Sequence, residues 1–498
     1  MEKVCKTIIS VSLIFILCLL TFNSASAQTP KADYEAWKQQ ARGDYQAFHQ
    51  QQTDAYQAFR KQANAEYAEF VKTAWTSIGF HPALTPPSEP KPPLPPVAPP
   101  NVDTTPKVIP HEEIVPLPSP MPVPKVPAPV PETPTGETTE IAFYGTSLAV
   151  HIPIGMPLSL KSPDGDELSK AWTTLSDGRC DALLADCLQG KKALALADWG
   201  YIKLLETLSE HIAGKGNAAV LLQQWLLTQS GYHSRMVRTD EGRLLLWMPF
   251  DVPVYDRPYI ELDGVQHFLI TESGRDESGL QVMDKAFPSE NIASLRAAQQ
   301  PRLAYVASGK RTLQSSRYPT LVLQAETNRN LIAYYNDYPK LVGAWDVYAN
   351  ASLSKEAKEQ LYPKLRKLLS GKNELEKAEL LLNWVQTAFE YKTDDEQFGG
   401  ERSLFADETL YYPYCDCEDR SILFSVLVRD LLGLDVVLLH FPGHLATAVK
   451  FNSAVEGDYL DLNHGRFIVC DPTYINARVG MAMPNCLQQE VKVYTLTL

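Results

Sequence analysis

Three short segments in the last third of the chain carry the residue types of a nucleophilic acyl-transfer site. Cys417 opens an apolar run, His444 begins an alternating segment, and Asp471 ends another. A thiolate can attack a carbonyl carbon, an imidazole can transfer the protons, and a carboxylate can orient the imidazole. The three residues therefore predict a Cys-His-Asp triad that acts on protein or peptide amides, with no cofactor and no metal.

The elements around these residues are predicted from their patterns. Residues 417–432 have apolar side chains at helical spacing, and Gly433 is a typical helix end. Cys417 would lie in the first turn, where the backbone N–H groups and the helix dipole favour a thiolate of low pKa. Three adjacent acidic residues oppose this effect, which the pairing with His444 would have to outweigh. They are Asp416, Glu418 and Asp419. Four strands are predicted after the helix, at 435–440, 444–451, 458–462 and 467–471.

This order of motifs resembles the transglutaminase-like superfamily, whose core follows the papain-like plan. The motifs are Trp384-Val385-Gln386, Asp416-Cys417-Glu418-Asp419, Gly443-His444 and Asp471-Pro472-Thr473. The resemblance covers about 374–475. It implies an α+β fold in which a helix bearing the Cys packs on an antiparallel sheet. It also implies that Cys417 is the nucleophile, His444 the general base and acid, and Asp471 the orienting residue.

Several alternatives remain around the triad. Each of the three residues alone is more often structural; their joint order favours the site. Cys415 stands where the family often has glycine, and it is interpreted as a second thiol, half of a disulfide, or the true nucleophile. The oxyanion donor is the Cys417 N–H, a side chain near 412–414, or one of Trp384 and Gln386. A zinc site is disfavoured because the usual Cys-x₂-Cys spacing is missing. Its ligands would be Cys415, Cys417, His440 and His444.

The beginning of the chain predicts export. Residues 1–27 combine two lysines, an apolar run and an Ala-Ser-Ala cleavage site, as a secretory signal peptide does. No later segment approaches about 18 consecutive apolar residues, so we expect no membrane span after cleavage. The net charge of −13 argues against nucleic acid as a general partner. We expect a periplasmic, extracellular or cell-surface location.

Residues 33–76 consist of four copies of an 11-residue unit that places aromatic residues on one helix face. The aromatic positions are Tyr34, Trp37, Tyr45, Phe48, Tyr56, Phe59, Tyr67 and Phe70. We expect one amphipathic helix over 28–80, straight or slightly right-handed as a coil. Two interpretations are open: the helix mediates self-association or docking, or it packs on its own protein.

The remaining chain divides by composition. Residues 81–136 are rich in proline and predict an extended, semi-rigid spacer. Residues 137–335 predict a mixed α/β domain, and residues 336–498 the transglutaminase-like catalytic domain.

Two interpretations of the middle domain are open: a degenerate copy of the catalytic domain, or an unrelated α/β domain with ordinary turn glycines. The helix 218–229 ends near Gly231 as the catalytic helix ends at Gly433, and later turns recur at nearly the same offset. Aligned on these turns, the triad positions fall on Lys215 or Gly216, on Arg243 and on Ile270, which cannot perform the chemistry.

Two functions are compatible with these patterns. The first is an exported cysteine peptidase, amidase or protein-glutamine acyltransferase, with hydrolysis preferred over amine cross-linking because water is always present. The second is a surface binding or scaffold protein that uses a transglutaminase-like domain without catalysis.

Overall fold

The computed structural model describes residues 31–73, 75–85, 90–99, 105–117, 136–155, 160–271, 279–289, 291–297, 299–341 and 343–497. The predicted signal peptide lies outside these ranges. The described chain consists of helices and mainly antiparallel sheets, which confirms the α+β class. It divides into two units, Met1–Phe59 and Arg60–Leu498. Among the described helices, none has the length and apolar character needed to cross a bilayer.

The helices are α1 (Lys31–Phe70), α2 (Gly165–Leu175), α3 (Asp181–Ala193), α4 (Asp198–Ala213), α5 (Asn217–Gln229), α6 (Arg329–Asn336), α7 (Trp345–Asn350), α8 (Lys355–Leu369), α9 (Glu374–Thr387), α10 (Asp394–Phe398), α11 (Ala406–Tyr411) and α12 (Cys417–Leu432). The strands before residue 270 are β1 (Trp75–Ile78), β2 (His111–Val115), β3 (Glu137–Phe143), β4 (Thr146–Ile152), β5 (Arg235–Arg238), β6 (Leu244–Met248), β7 (Tyr259–Leu262) and β8 (Val265–Leu269). The later strands are β9 (Leu280–Met283), β10 (Arg311–Gln314), β11 (Val322–Ala325), β12 (Glu390–Tyr391), β13 (Tyr414–Cys415), β14 (Asp435–Phe441), β15 (His444–Lys450), β16 (Tyr459–Leu462), β17 (Gly465–Cys470) and β18 (Val491–Thr495).

The aromatic repeats form helix α1, but the predicted helix over 28–80 is too long. The helix ends at Phe70, and Trp75–Ile78 instead forms β1, which pairs antiparallel with Leu280–Met283. The chain leaves the helix because this stretch gains backbone hydrogen bonds at the edge of a sheet. Such a long-range pairing leaves no signal in the helical period.

The aromatic face of α1 has two environments. Within the first unit, large side chains are exposed, among them Trp37, Tyr45 and Phe48. In the second unit, Tyr67 is only 3% exposed, and its ring lies 4.5 Å from the ring of Trp172 between centroids. Asn64 adds polar contacts, because its amide donates to the Gln229 side chain and its oxygen accepts from the Trp172 indole. The last repeat therefore packs on its own chain, and self-association of the earlier repeats stays a prediction.

Two six-stranded sheets dominate the second unit, and they have the same strand order. The middle sheet has the order β1-β9-β5-β6-β8-β7, and the C-terminal sheet has the order β2-β18-β14-β15-β17-β16. In each sheet a helix, α5 or α12, directly precedes the five consecutive strands that fill the matching positions. All pairs are antiparallel except that of β2 with β18. This is the topology that an internal repeat requires.

Matching the elements one to one shifts the equivalent positions slightly from the sequence alignment. Asn217 opens α5 as Cys417 opens α12, and Leu244 opens β6 as His444 opens β15. Ile270 follows β8 as Asp471 follows β17. The Asn217 side chain accepts a hydrogen bond from the Leu244 backbone N–H at 2.8 Å and donates to the Gly242 carbonyl. In the middle sheet, the Asn217 side chain thus links the start of α5 to the turn between β5 and β6. The C-terminal sheet has the thiol and the imidazole at the equivalent positions.

The proline-rich segment does not act as a detached spacer where it is described. Residues 111–115 form β2, a parallel edge strand beside β18. Val97 and Val108 form further bridges to Ile475 and Tyr459. The spacer prediction is therefore wrong for these residues. Proline lacks an N–H, but an edge strand needs hydrogen bonds on one side only, so the non-proline residues between the prolines can pair.

One buried hydrophobic cluster spans the two sheets. The cluster includes Leu222 and Met248 from the middle half together with Ile422, Leu438 and Leu445 from the C-terminal half, all at most 1% exposed. Helix α12, which carries Cys417, is therefore held from both halves.

Candidate active site

Helix α12 carries Cys417 at its first residue. Asp416 precedes the helix in extended conformation, and Gly433 ends it with a φ of 64°, a left-handed conformation that glycine adopts readily. The Ser421 hydroxyl donates to the carbonyl of Leu445 at 2.9 Å, which ties the first turns of the helix to strand β15. A backbone hydrogen bond from Leu445 also reaches Cys417. The thiol is thus fixed against the residue that follows His444.

His444 and Asp471 are brought together by adjacent strands. His444 is the first residue of β15, after the tight turn in which Gly443 has a φ of 72°. Asp471 follows β17, the neighbour of β15 in the sheet. The Asp471 Oδ2 atom lies 2.8 Å from His444 Nε2, and its Oδ1 accepts backbone N–H groups of Thr473 and Tyr474. Backbone N–H groups of the following turn therefore fix Asp471, and Asp471 orients the imidazole. Nδ1 is left as the ring nitrogen that does not face Asp471.

A cavity of about 350 Å³ connects Cys417 with His444. Residues from both halves of the second unit line it, among them Tyr255 from the middle half and Trp345 from the C-terminal half. Cys417 and His444 are 2% and 8% exposed, so the cavity admits little solvent to either group. A buried thiol and an oriented imidazole therefore line the same cavity.

The thiol of Cys417 is held in its protonated form. Burial, followed by the charges of Glu418 and Asp416, raises its pKa well above the usual value. The Sγ atom lies 3.1 Å from Glu418 Oε2, to which it donates a hydrogen bond. The predicted low pKa is therefore wrong for this arrangement. The helix N-terminus favours a thiolate, but desolvation and two adjacent carboxyl groups outweigh it.

Cys415 has a different environment from Cys417. It lies in β13, and its sulfur faces the Glu390 carbonyl at 3.9 Å. Burial raises its pKa to about 11. All six cysteines in the described ranges are buried free thiols, which leaves no disulfide for Cys415 there. Cys417 borders the cavity with His444, whereas Cys415 is not among the residues of the cavity wall.

Two of the side chains considered as oxyanion donors, those of Gln386 and Trp384, are committed elsewhere. The Gln386 amide nitrogen donates to a cluster of carbonyls that includes those of Asp471 and Tyr474, at 3.0 and 2.9 Å. The Trp384 indole N–H points to the Leu313 carbonyl at 3.3 Å. Gln386 therefore positions the loop of Asp471 instead of facing the cavity. Its spacing in the motif could not reveal this direction.

Trp345 lines the cavity and was missed by sequence reasoning. Its Nε1 atom is fully buried, without a hydrogen-bond partner among the described residues. A buried unpaired N–H costs free energy unless a ligand accepts from it. Trp345 lies outside the family-like motifs, in the short helix α7, so no local signal pointed to it.

A lysine from the proline-rich segment enters the site beside Cys417. The ammonium of Lys91 lies 2.8 Å from both Glu401 Oε1 and Asp416 Oδ2, and 3.5 Å from Asp394 Oδ2. It also bonds Glu418 Oε1. The side chain is 11% exposed. Burial opposes its charge, but the carboxylates of Glu418 and Asp416 raise the pKa of Lys91 well above the usual value.

The lysine is delivered by residues 90–99, here named the strap. Its Pro92 and Pro96 carbonyls accept hydrogen bonds from the Tyr391 hydroxyl and the Ile475 N–H, at 3.0 and 2.8 Å. A side-chain carbon at Gly443 would lie 2.8 Å from the Pro90 carbonyl oxygen. The strap therefore passes directly over the turn before His444, and glycine at 443 makes this approach possible.

The set of zinc ligands considered from the sequence is not among the groups of described residues that the structure brings within ligating distance of one another. Within the described chain, acidic and thiol groups do come within ligating distance of one another, but around Lys91 and Cys417. These groups are Asp416 with Cys417 and Glu418, Asp394 with Asp416 and Asp419, and Asp394 with Glu401 and Glu418. None of them contains a histidine or Cys415.

Comparisons with protein-family models, curated proteins and solved structures give no match for this chain. A thiol, an imidazole fixed by a carboxylate and a buried lysine ammonium all belong to residues that line one cavity.

Proposed function

We propose that this chain is an exported, cysteine-dependent acyl-transfer enzyme with a transglutaminase-like, papain-like catalytic domain, acting on amide bonds of proteins or peptides. The observation that carries the proposal is the 2.8 Å contact between His444 Nε2 and Asp471 Oδ2 at the cavity that Cys417 also borders. A carboxylate that fixes one imidazole nitrogen leaves the other to exchange protons with a nucleophile.

The proposed reaction uses the thiol and the imidazole in turn. His444 takes the proton of Cys417 through Nδ1, and the thiolate attacks the amide carbon to form a C–S bond. The C–N bond then breaks as the imidazolium gives its proton to the leaving amine. Water attacks the thioester with His444 as the base, the C–S bond breaks, and the carboxylic acid and the thiol are released. Cross-linking would place an amine where the water stands, and hydrolysis is preferred because water is always present.

The negative charge on the tetrahedral intermediate needs donors in the cavity. The Cys417 backbone N–H at the start of α12 is the candidate. A donor placed where charge develops in the intermediate stabilises the transition state more than the bound substrate.

A second candidate is a binding or scaffold protein that uses the same cavity without turnover. The protonated thiol supports it, because Cys417 Sγ donates to Glu418 and burial raises its pKa. Lys91 beside the thiol supports it further, since the space next to the nucleophile is already occupied.

The test compares wild type with C417A and C415A against a peptide library read by mass spectrometry. We expect cleavage by wild type and C415A, and a loss on the order of a thousandfold or more in C417A. Reactions in ¹⁸O-water and with a fluorescent primary amine separate hydrolysis from cross-linking. Equal turnover by C417A and wild type, or a loss in C415A alone, contradicts the assignment. Peptide binding without turnover in wild type supports the second candidate.

A further inference from the structure

We propose that the acidic pocket formed by Asp394, Glu401, Asp416 and Glu418 is a binding subsite for a primary ammonium group on a flexible chain, and that Lys91 is its internal occupant. The ligand chemistry is that of a lysine side chain in a peptide or of a free alkylamine. The inference rests on the proposed function in one respect, namely that this subsite borders the reacting thiol.

The pocket is built for a cation and is inaccessible to most of the solvent. Three of its carboxyl groups, on Asp394, Asp416 and Glu418, are at most 3% exposed, and that of Glu401 is 29% exposed. Buried carboxylates that lose their counter-ion carry an uncompensated charge, which is strongly destabilising. The pocket therefore needs a positive occupant or protons. Lys91 shows which kind of cation it accepts.

The contacts fit an ammonium better than the other cations of proteins. A lysine ammonium is a compact charge with three donors, and here four carboxyl groups surround one nitrogen. Arginine presents a flat fork that matches one carboxylate at a time. The 2.8 Å contacts of Lys91 to Glu401 and Asp416 are the lengths of charge-assisted hydrogen bonds.

Glu418 connects this subsite to the thiol. Its Oε1 bonds Lys91, and its Oε2 accepts from Cys417 Sγ at 3.1 Å. An ammonium in the pocket thus lies one carboxylate away from the sulfur, and Lys91 itself lines the cavity with Cys417 and His444. A substrate that places a lysine in the pocket brings its adjoining chain to the thiol.

The strap is anchored mainly away from Lys91. Close to the lysine, the Tyr391 hydroxyl donates to the Pro92 carbonyl, and further along Pro96 and Ala98 both form backbone hydrogen bonds with Ile475. A substrate lysine can therefore replace Lys91 if the strap lifts away from Gly443. In this state the strap imitates a bound substrate and keeps the subsite filled.

The experiment replaces the internal occupant with an external one. K91A is prepared in the full chain, and its thermal unfolding is followed with n-butylammonium chloride or, at equal ionic strength, tetramethylammonium chloride. We expect a lower Tm than wild type and a saturable recovery by butylammonium alone, because tetramethylammonium has no N–H donor. Wild type and K215A, which lacks a lysine that is 86% exposed, should show no such recovery.

Further arms separate the sources of the ammonium. N-acetyl-lysine methylamide should restore Tm and its norleucine counterpart should not, if a lysine in a peptide is the ligand; recovery by butylammonium alone indicates small amines. Recovery by calcium or magnesium instead of ammonium overturns the proposal. So do equal effects of both ammonium salts, or a K91A variant as stable as wild type without any added cation.

If K91A does not fold on expression, its refolding yield in the two ammonium salts replaces the Tm, and equal yields overturn the proposal. None of these measurements uses the reactivity of Cys417. Failure of the ammonium subsite is thus distinguishable from failure of acyl transfer, which the C417A comparison tests separately.

Discussion

Glu418 is the residue through which the thiol and the lysine of this site act on one another. One carboxylate oxygen accepts from Cys417 Sγ and the other bonds Lys91. Burial opposes the charge of Glu418, but Lys91 lowers its pKa below the usual value, so it is ionised. Together with burial, this negative charge raises the pKa of the Cys417 thiol and favours its protonated form.

Removing that charge should activate the thiol. In E418Q one carboxylate that raises the Cys417 pKa is lost, so the pKa falls and the thiolate fraction at neutral pH rises. We expect alkylation of Cys417 by iodoacetamide to become faster on the order of tenfold, since each unit of pKa changes the thiolate fraction about tenfold. The measurement is the labelling rate of the Cys417 peptide by mass spectrometry as a function of pH.

E401Q is the matched control for this prediction. Glu401 also bonds Lys91, at 2.8 Å, but the hydrogen bond of the thiol goes to Glu418. The pH profile of labelling should therefore move to lower pH in E418Q and stay near that of wild type in E401Q. Equal profiles in the two variants would show that the local charge of Glu418 does not control the thiol.

The sequence could identify part of this site and not the rest. Cys417, His444 and Asp471 are recognisable by type and order, and His444 and Asp471 do lie in contact. Lys91 could not be identified, because its contact with Asp416 spans 325 residues and leaves no local pattern. The pKa of Cys417 was mispredicted because helix position is readable from sequence, whereas the burial that dominates it is not.

At the scale of elements, sequence periodicity predicts the helices and strands whose pattern lies within their own residues. The helix that carries Cys417 is predicted over 417–432 and is Cys417–Leu432. The following strands lie within a few residues of their predicted bounds. Strands β1 and β2 were missed, because each exists only through pairing with a strand far along the chain. Their sequences contain no turn or alternation strong enough to compete with a helical or proline-rich reading.

Helix α1 gives a second prediction, because its repeats occupy two environments. Tyr67 is buried against Trp172 and Phe287, and its hydroxyl accepts from the Gln224 amide. Y67A should lower the free energy of unfolding by about 3–5 kcal/mol, as truncation of buried aromatic residues does. Tyr45 occupies the equivalent position of an earlier repeat but is 68% exposed. Y45A should therefore change the free energy of unfolding by less than about 0.5 kcal/mol. Urea unfolding measures both.

The same pair of variants separates folding from association. If the exposed repeats mediate self-association, Y45A should shift sedimentation velocity profiles of the full chain towards the monomer without changing its stability. An unchanged profile for Y45A, with wild type already monomeric, would remove the association role and leave α1 as a helix that anchors through its last repeats.

At the scale of the whole molecule, the two sheets form a repeat in topology and a single body in packing. The shared strand order of the middle and C-terminal sheets supports the predicted internal copy. In the middle sheet the triad positions became Asn217, Leu244 and Ile270, which serve packing and backbone hydrogen bonds. Both halves contribute to the wall around Cys417.

This shared packing leads to the last prediction, that the halves unfold together. Leu222 of α5 lies in the same buried cluster as Leu438 and Leu445 of the C-terminal sheet. Its truncation in L222A should therefore lower the stability of both halves, by about 2–5 kcal/mol.

Two buried thiols can report on the unfolding of the two halves: Cys187 in α3 and Cys417 in α12, both 2% exposed. In a urea series, the labelling midpoints of the two should coincide in wild type and shift by the same amount in L222A. K215A, a change at an exposed position, should leave both in place. A shift of the Cys187 midpoint alone would mean that the halves are independent domains and that the cavity between them is not maintained by a common core.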